Sequence, residues 1–167
     1  MIKMNVAVEG MTLEEQIVAL MREKNLTLAV AESCTGGMLS SRIIDVAGVS
    51  DVYKAGFVTY ANEAKQNLIG VKEETLMQYG AVSEQTAREM VLGAIKAAGA
   101  DMALATTGIA GPGGGTKEKP VGLVYIACGN ADAVIVERCL FDGTRSEIRQ
   151  ASVEHALEML YRGIMKK

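Results

Sequence analysis

The sequence predicts an α/β fold, a three-layer α/β/α sandwich with a mixed, largely parallel sheet. Helical and strand-like patterns alternate along the chain, which favours parallel strands joined by helices. Two apolar runs also end in hydroxyl-bearing and glycine residues, as strands do where they enter a ligand-binding turn. One hairpin-type connection, Gly129-Asn130-Ala131-Asp132, adds an antiparallel pair.

The first helix is predicted over Thr12 to Lys24. It begins with a Thr12-x-x-Glu15 capping box, and its apolar residues recur at helical spacing. The remaining elements follow in chain order: a strand at 27–32, a helix from Gly36 to Asp45, a strand from Gly56 to Tyr60, a helical turn from Asn62 to Leu68, a helix capped by Ser83 that runs to Ala98 and is closed by Gly99, a strand at 101–106, strands from Val121 to Cys128 and from Ala133 to Phe141, and a last helix from Thr144 to Met165.

The composition suits one domain over residues 1–167, with residues 1–11 as an N-terminal arm. The chain is 49% hydrophobic and has no linker or low-complexity tract. No apolar run has the roughly 18 residues of a membrane span, and no signal peptide is recognisable, so we expect a cytoplasmic protein. A net charge of −3 and the absence of tryptophan argue against a nucleic-acid groove.

Metal sites of the common kinds are not predicted. The three cysteines, Cys34, Cys128 and Cys139, show no CxxC spacing, which argues against a structural zinc site and against a disulfide framework. His155 is the only histidine, so a site built from histidines is excluded by count. The simplest interpretation of His155 is a surface or interface side chain.

The first candidate site follows the strand at 27–32, where the chain continues as Glu32-Ser33-Cys34-Thr35-Gly36-Gly37. At such a strand-to-helix junction, unpaired N–H groups face a ligand or a developing negative charge. Ser33 is the candidate nucleophile. Cys34 stays open as an alternative, because a thiol at a helix N-terminus has a lowered pKa.

With one histidine placed far along the chain, the base for Ser33 has to be another group. Lysine serves when burial or a nearby positive charge lowers its pKa. Tyr60 ends a predicted strand and Lys65 lies one helical turn later, so both can reach the sheet edge where Ser33 lies. The structural alternatives are a solvated helix lysine for Lys65 and a strand-end core aromatic for Tyr60.

The second candidate site is a glycine-rich loop, Gly108-Ile-Ala-Gly111-Pro-Gly113-Gly114-Gly115, which follows Thr106 and Thr107. It matches neither the Walker A nor the Gly-x-Gly-x-x-Gly pattern, so it is either an anion cradle or a surface loop. Arg145, at the start of the last helix, is a candidate clamp for a phosphate or carboxylate, with a solvent-facing arginine as the alternative.

Five ordered blocks together resemble the CinA C-terminal domain family, which includes nicotinamide-mononucleotide deamidases. The resemblance covers the chain from about Leu13 to the last helix. We expect the stand-alone deamidase form, without the further N-terminal domain that many CinA proteins carry. The blocks are Ala31-Glu-Ser-Cys-Thr-Gly-Gly37, Gly56-Phe-Val-Thr-Tyr60 with Asn62-Glu-Ala-Lys65, Gly80-Ala-Val-Ser83, Gly108-Ile-Ala-Gly-Pro112 with Lys119-Pro-Val-Gly122, and Phe141-Asp-Gly-Thr-Arg145.

The resemblance implies hydrolysis of nicotinamide mononucleotide to nicotinate mononucleotide and ammonia, without metal or cofactor, by a homo-oligomer such as a dimer. In this hypothesis Ser33 attacks the amide carbon, Lys65 takes its proton, and Tyr60 relays that proton or holds Lys65. Glu32 is expected beside the pyridinium ring or behind the turn, and the N–H groups of Cys34, Thr35 and Gly36 are expected at the oxyanion. The contacts expected at the phosphate are Thr107, Gly108, Gly111, Gly113 and Gly114. Arg145 is expected at the phosphate or the ribose.

Two other functions remain open on the sequence. The chain could be a binding or scaffold module linked to competence or recombination, or an amidase for another small amide. The distance between Ser33 and Lys65 discriminates between a module and an enzyme: a lysine in solvent more than about 8 Å from Ser33 would undermine Ser-Lys chemistry.

Overall fold

A computed structural model describes residues 10–166; the proposed arm therefore lies almost wholly outside the described residues. The described part forms five strands and six α-helices: α1 Leu13–Glu23, β1 Leu28–Glu32, α2 Met38–Ile44, β2 Tyr53–Val58, α3 Asn62–Ile69, α4 Glu73–Tyr79, α5 Glu84–Ala98, β3 Met102–Gly108, β4 Leu123–Gly129, β5 Val134–Leu140 and α6 Arg145–Met165. None of these helices is both long enough and apolar enough to cross a bilayer.

The strands form one sheet in the order β2-β1-β3-β4-β5. β1 runs parallel to both of its neighbours, whereas β4 is antiparallel to β3 and to β5. Four strands therefore point the same way, and the predicted mixed, largely parallel sheet is confirmed. Glu32, the last residue of β1, pairs with Val58 of β2 and Thr106 of β3, so the carboxyl ends of three strands meet at one edge.

Two hydrophobic cores cover the two faces of the sheet. Leu28 and Val30 of β1 pack with α1, α2 and α6, whereas the alternate residues Ala29 and Ala31 face α5. The same alternation of large and small residues recurs in β3. Because successive side chains of a strand point to opposite faces, one face is covered by leucine-sized residues and the other mainly by alanine.

The alanine face brings α5 and its neighbours into close contact. A Cβ added at Gly93 of α5 would lie 1.8 Å from the carbonyl oxygen of Ile69, which ends α3. Glycine is therefore required at this point of the helix, although it lowers helix propensity. The opposite helix, α6, has a less constrained glycine: a Cβ at Gly163 would meet the Cys128 Sγ at an ordinary 3.6 Å.

The predicted caps agree with the structure, and several boundaries differ. Thr12 and Glu15 form the capping box of α1, Ser83 caps α5, and Gly99 ends it in the left-handed region. The expected helix start at Gly36 is wrong: α2 begins at Met38, because Gly36 and Gly37 have φ values of +59° and +98°.

The strand expected over Gly56 to Tyr60 is instead Tyr53–Val58. The chain leaves the strand after Val58, and the carbonyl groups of Thr59 and Tyr60 turn towards Lys65. Helix α4 and a 3₁₀ turn at Val49–Asp51 were not predicted. Each is at most seven residues long, which is too short for a clear apolar period.

Two glycine-to-alanine substitutions test the close packing of α5. Gly93→Ala is expected to lower the free energy of unfolding by about 2 kcal/mol or more, because its Cβ overlaps a backbone oxygen that cannot move aside cheaply. Gly163→Ala has room for its Cβ and should raise that free energy by up to about 1 kcal/mol. Urea unfolding of both variants measures the difference; equal effects would contradict the proposed contact between α5 and α3.

Candidate active site

A cavity of about 210 Å³ opens at the sheet edge where β1, β2 and β3 end. We call it the Ser33 cavity. Its lining includes seven residues proposed from the sequence, together with Ala81, Val82 and Ala110, which were not. The seven are Ser33, Cys34, Tyr60, Lys65, Thr107, Gly108 and Arg145.

Ser33 and Lys65 contact each other in this cavity. The Lys65 Nζ lies 3.2 Å from the Ser33 Oγ, and the lysine side chain, which extends from α3, has an exposed fraction of 0%. The structural alternative of a solvated helix lysine is therefore wrong for Lys65. A buried amine within hydrogen-bond reach of a hydroxyl is the geometry that a general base needs.

The other partners of the Lys65 amine are backbone carbonyl groups. The amine donates to the oxygen of Thr59 at 2.7 Å and to that of Tyr60 at 3.4 Å. No ion pair with a carboxylate occurs at Lys65 within the described range. Burial lowers the pKa of Lys65, because the charged form loses its hydration.

Tyr60 meets Lys65 through its main chain and not through its phenol. The side chain is 64% exposed, and its hydroxyl lies 3.4 Å from an Nη of Arg145 at the rim of the cavity. The core-aromatic alternative is therefore wrong for Tyr60. Of its two expected roles, holding Lys65 agrees with this position, whereas a phenolic proton relay has no such contact in this structure.

Glu32 organises the turn behind Ser33. Its carboxylate is fully buried and accepts hydrogen bonds from the N–H groups of Gly37, Leu39 and Ser40. The hydroxyls of Thr35 and Ser40 donate to it as well. The carboxylate therefore serves the N-terminus of α2, and neither Glu32 nor Thr35 lines the cavity.

Arg149 holds the same turn from the side of α6 and was not proposed from the sequence. Its Nε donates to the carbonyl oxygen of Cys34 at 3.0 Å and an Nη donates to that of Thr35 at 2.9 Å. The available signal was its spacing: Arg149 follows Arg145 by four residues, so the two lie on one face of the helix. The N–H of Gly36 is also engaged, since it donates to the Ser33 carbonyl.

Cys34 does not have the lowered pKa that its place in the sequence suggested. The residue is 5% exposed and belongs to the core on the α6 face of the sheet. Burial raises the pKa of its thiol to about 11. Because the thiolate is the reactive form, this position disfavours Cys34 as the nucleophile.

The glycine-rich loop contacts the cavity at only one end. Gly108 lines the cavity, and Arg145 donates to the carbonyl oxygen of Gly111 at 2.8 Å. Gly113 and Gly114 lie outside the lining, and both are exposed. The Thr107 hydroxyl donates to the Ala81 carbonyl at 2.7 Å, and the cationic side chains in the cavity lining are those of Lys65 and Arg145.

The cavity offers few metal ligands. Its lining contains one thiol and neither a carboxylate nor an imidazole. Hydroxyl, amine and guanidinium groups suit hydrolysis of a neutral acyl group next to an anionic substituent: a nucleophile, a base and a cation lie around one space.

Comparisons with known proteins agree on one family. A family model described as the CinA C-terminal domain matches residues 10–164. The CinA-like protein of Kosmotoga olearia is 49% identical over 154 residues, which cover 92% of this chain and 37% of that protein. The chain spans less than two fifths of the length of the curated relatives it matches.

Solved structures give the same result for the fold. The competence/damage inducible protein CihA from Agrobacterium tumefaciens superposes with a TM-score of 0.87 at 46% identity, covering 90% of this chain and 92% of that chain. A competence-damaged protein (CinA) superfamily member from Klebsiella pneumoniae gives a TM-score of 0.89 at 34% identity, with 93% and 97% covered.

The buried amine should make the stability of the protein depend on pH. A lowered pKa means that, between the folded-state pKa of Lys65 and its unfolded value near 10.4, the unfolded chain binds more protons. The free energy of unfolding of the wild type, relative to Lys65→Met, should therefore rise with pH in this window, by up to about 1.4 kcal/mol per pH unit.

Chemical unfolding at a series of pH values measures this slope. Lys54→Met, which replaces an exposed lysine of β2, is the matched control and should run parallel to the wild type. A Lys65→Met curve that also runs parallel would mean that Lys65 is charged in the folded protein throughout the window.

Proposed function

The chain belongs to the CinA C-terminal domain family, and from this membership and the buried Ser33–Lys65 pair we propose that it hydrolyses the carboxamide of nicotinamide mononucleotide. The products are nicotinate mononucleotide and ammonia, and the reaction serves pyridine nucleotide salvage. The observation that carries the proposal is the 3.2 Å contact between the Ser33 Oγ and the Nζ of a fully buried Lys65.

The two carbonyl groups around Lys65 support its role as the base. A neutral amine has two hydrogens and one lone pair; with the hydrogens donated to the carbonyls of Thr59 and Tyr60, the lone pair is left for the Ser33 hydroxyl. Lys65 then accepts the hydroxyl proton while the Ser33 Oγ bonds to the amide carbon. The charge that develops on Lys65 is stabilised by the same two carbonyl oxygens.

The carbonyl oxygen of the substrate becomes an oxyanion that needs N–H donors. The N–H groups of Gly36, Gly37, Leu39 and Ser40 are already engaged within the turn. We assign the oxyanion to the N–H groups of Cys34 and Thr35, which follow the nucleophile directly. Arg149 fixes the Cys34 carbonyl on one side, and the Thr35 N–H of the same trans peptide therefore points to the other.

Collapse of the tetrahedral intermediate breaks the bond between carbon and the amide nitrogen. Lys65 passes its proton to that nitrogen, which leaves as ammonia, and an ester on the Ser33 Oγ remains. Water then attacks the ester with Lys65 as the base again, and release of nicotinate mononucleotide returns the Ser33 proton. The cycle consumes one water and needs no redox partner.

Arg145 is the proposed contact of the 5′-phosphate. It is the guanidinium that lines the cavity, and its planar fork binds phosphate in two places at once. Its contacts with the Gly111 carbonyl and the Tyr60 hydroxyl keep it at the rim of the cavity, which Gly108 and Thr107 also line. The cytoplasmic location and the homo-oligomeric state expected from the sequence stay predictions.

Ammonia release from nicotinamide mononucleotide tests the proposal. Ser33→Ala and Lys65→Ala are expected to lower kcat/KM by about 10³-fold or more, because each removes one member of a unit that acts together. Cys34→Ala is the matched control; it should keep a rate close to that of the wild type, since the buried thiol takes no part.

Three results would contradict this assignment. Loss of activity in Cys34→Ala with retention in Ser33→Ala would make the thiol the nucleophile. Binding of the nucleotide by a wild type that releases no ammonia would favour a binding module, and release from other small amides at a higher kcat/KM would change the substrate.

The pH dependence of kcat/KM tests the state of Lys65. The base must be neutral, so the rate should rise with pH and reach its plateau below the usual lysine pKa of about 10.4, because burial lowers the pKa of Lys65. Activity is lost as pH falls through the lowered pKa. A rate that instead declines as pH rises through this range would show that the charged amine is required.

A further inference from the structure

Three side chains of types that bind metals meet outside the Ser33 cavity, at the contact between β5 and α6. Oxygen, sulfur and nitrogen ligand atoms of Glu137, Cys139 and His155 all lie within 4.8 Å of one another, and each residue is half-buried. Glu137 and Cys139 are two residues apart on β5, so their side chains leave the strand on the same face. Helix α6 brings His155 to them.

From this arrangement we propose that Glu137, Cys139 and His155 form a binding site for a divalent cation of the zinc class, Zn²⁺ or Co²⁺. The site is distinct from the Ser33 cavity and does not depend on the proposed amidase activity. A thiolate, an imidazole nitrogen and a carboxylate oxygen are the ligand types that these cations combine, and three protein ligands with one open position make a four-coordinate site.

The three ligand atoms, all within 4.8 Å of one another, are near enough for side-chain rotation to bring them around one cation. In a tetrahedral zinc site, ligand atoms lie about 3.3–3.6 Å from one another, given metal–ligand distances of about 2.0–2.3 Å. The His155 Nε2 and the Glu137 Oε2 are 2.6 Å apart, held by a hydrogen bond. A cation would replace the shared proton and widen this separation by under about 1 Å, which side-chain rotation can supply.

Neighbouring groups hold two of the ligands in place. Arg162 donates to the Glu137 Oε1 at 3.2 Å and leaves Oε2 for the cation. The Phe141 ring packs edge-on against the His155 imidazole, with the centroids 6.1 Å apart. Partners of this kind, which orient the ligands, are typical of protein metal sites.

Two further properties of the site are its neighbouring cavity and the protonated state of the Cys139 thiol, which a cation has to displace. Of the three ligands, Glu137 lines a cavity of about 290 Å³ between β3, β4, β5 and the end of α6, so the site borders a solvent-accessible space. Burial, followed by the charge of Glu137, raises the pKa of the Cys139 thiol to about 11. The cation must displace this proton, and thiolate-preferring metals do so where Mg²⁺ and Ca²⁺ do not.

This site was not predicted from the sequence because only sites built from one residue type, histidine or cysteine, were considered. A single histidine excludes a site built from histidines, and the cysteine spacing argues against a set of cysteines. A mixed site needs only one residue of each type, and His155 lies 16 positions beyond Cys139, on a different element.

Titration with Co²⁺ tests the proposal on the full chain. The wild type should bind one equivalent with the visible bands of tetrahedral Co²⁺ and a near-ultraviolet band of cobalt–thiolate charge transfer, and excess Zn²⁺ should remove both. Cys139→Ser should abolish the thiolate band, and His155→Gln should weaken binding by about tenfold or more. Cys128→Ser, which removes a different buried thiol, is the matched control and should titrate as the wild type does.

Three results would overturn the proposal. These are no saturable binding to the wild type, a thiolate band that persists in Cys139→Ser, and a band lost in Cys128→Ser. Ammonia release in the presence of a chelator separates the two proposals, because the Ser33–Lys65 chemistry needs no cation. A thermal transition raised by Zn²⁺ in the wild type and not in His155→Gln gives a second measure that does not depend on cobalt spectra.

Discussion

The arrangement of the candidate site depends on burying one lysine amine with carbonyl groups and not carboxylates as its partners. A carboxylate beside Lys65 would stabilise the ammonium form and remove its ability to accept a proton. Two carbonyl groups accept hydrogen bonds from the amine and, as uncharged dipoles, stabilise its charged form less than a carboxylate would. They are available because β2 ends at Val58 and the next residues turn their carbonyls inward before α3 begins.

Glu32 shows how the same protein uses a buried charge for a different purpose. Five donors surround its carboxylate, and three of them are N–H groups at the start of α2 that no helical carbonyl could satisfy. Both carboxylate oxygens of Glu32 are therefore hydrogen-bonded within the turn. Arg149 holds the outer side of that turn, so Ser33 sits on backbone fixed from two directions.

The sequence predicted which helices and strands form more accurately than where they begin and end. It likewise predicted which residues lie at the candidate site more accurately than which atoms they contact. The caps at Thr12 and Ser83 are local side-chain-to-backbone contacts and could be recognised. The start of α2 at Met38 depends on two glycine conformations, and the end of β2 at Val58 on carbonyl groups that turn towards a lysine of the next helix. Ser33 and Lys65 could be proposed as a pair because both follow strands that end at one edge.

Other features of the site had no local signal. Arg149 acts on the backbone of residues more than a hundred positions away, and the sequence records no trace of that contact beyond its spacing from Arg145. The burial of Cys34 is set by the core around α6, so an argument from the helix N-terminus alone gave the wrong direction for its pKa.

The alanine face of the sheet has a consequence for the width of the Ser33 cavity. Ala81 and Val82 form one wall of that cavity, and they lead directly into α5. The height of α5 above the sheet is set by Ala29, Ala31, Ala103 and Ala105, whose small side chains let the helix sit close. In a homologue with larger residues at these positions, α5 and the cavity wall formed by the residues at positions 81 and 82 would lie farther from the nucleophile. Acceptance of bulkier substrates can thus evolve through the core, without any exchange at the reacting groups.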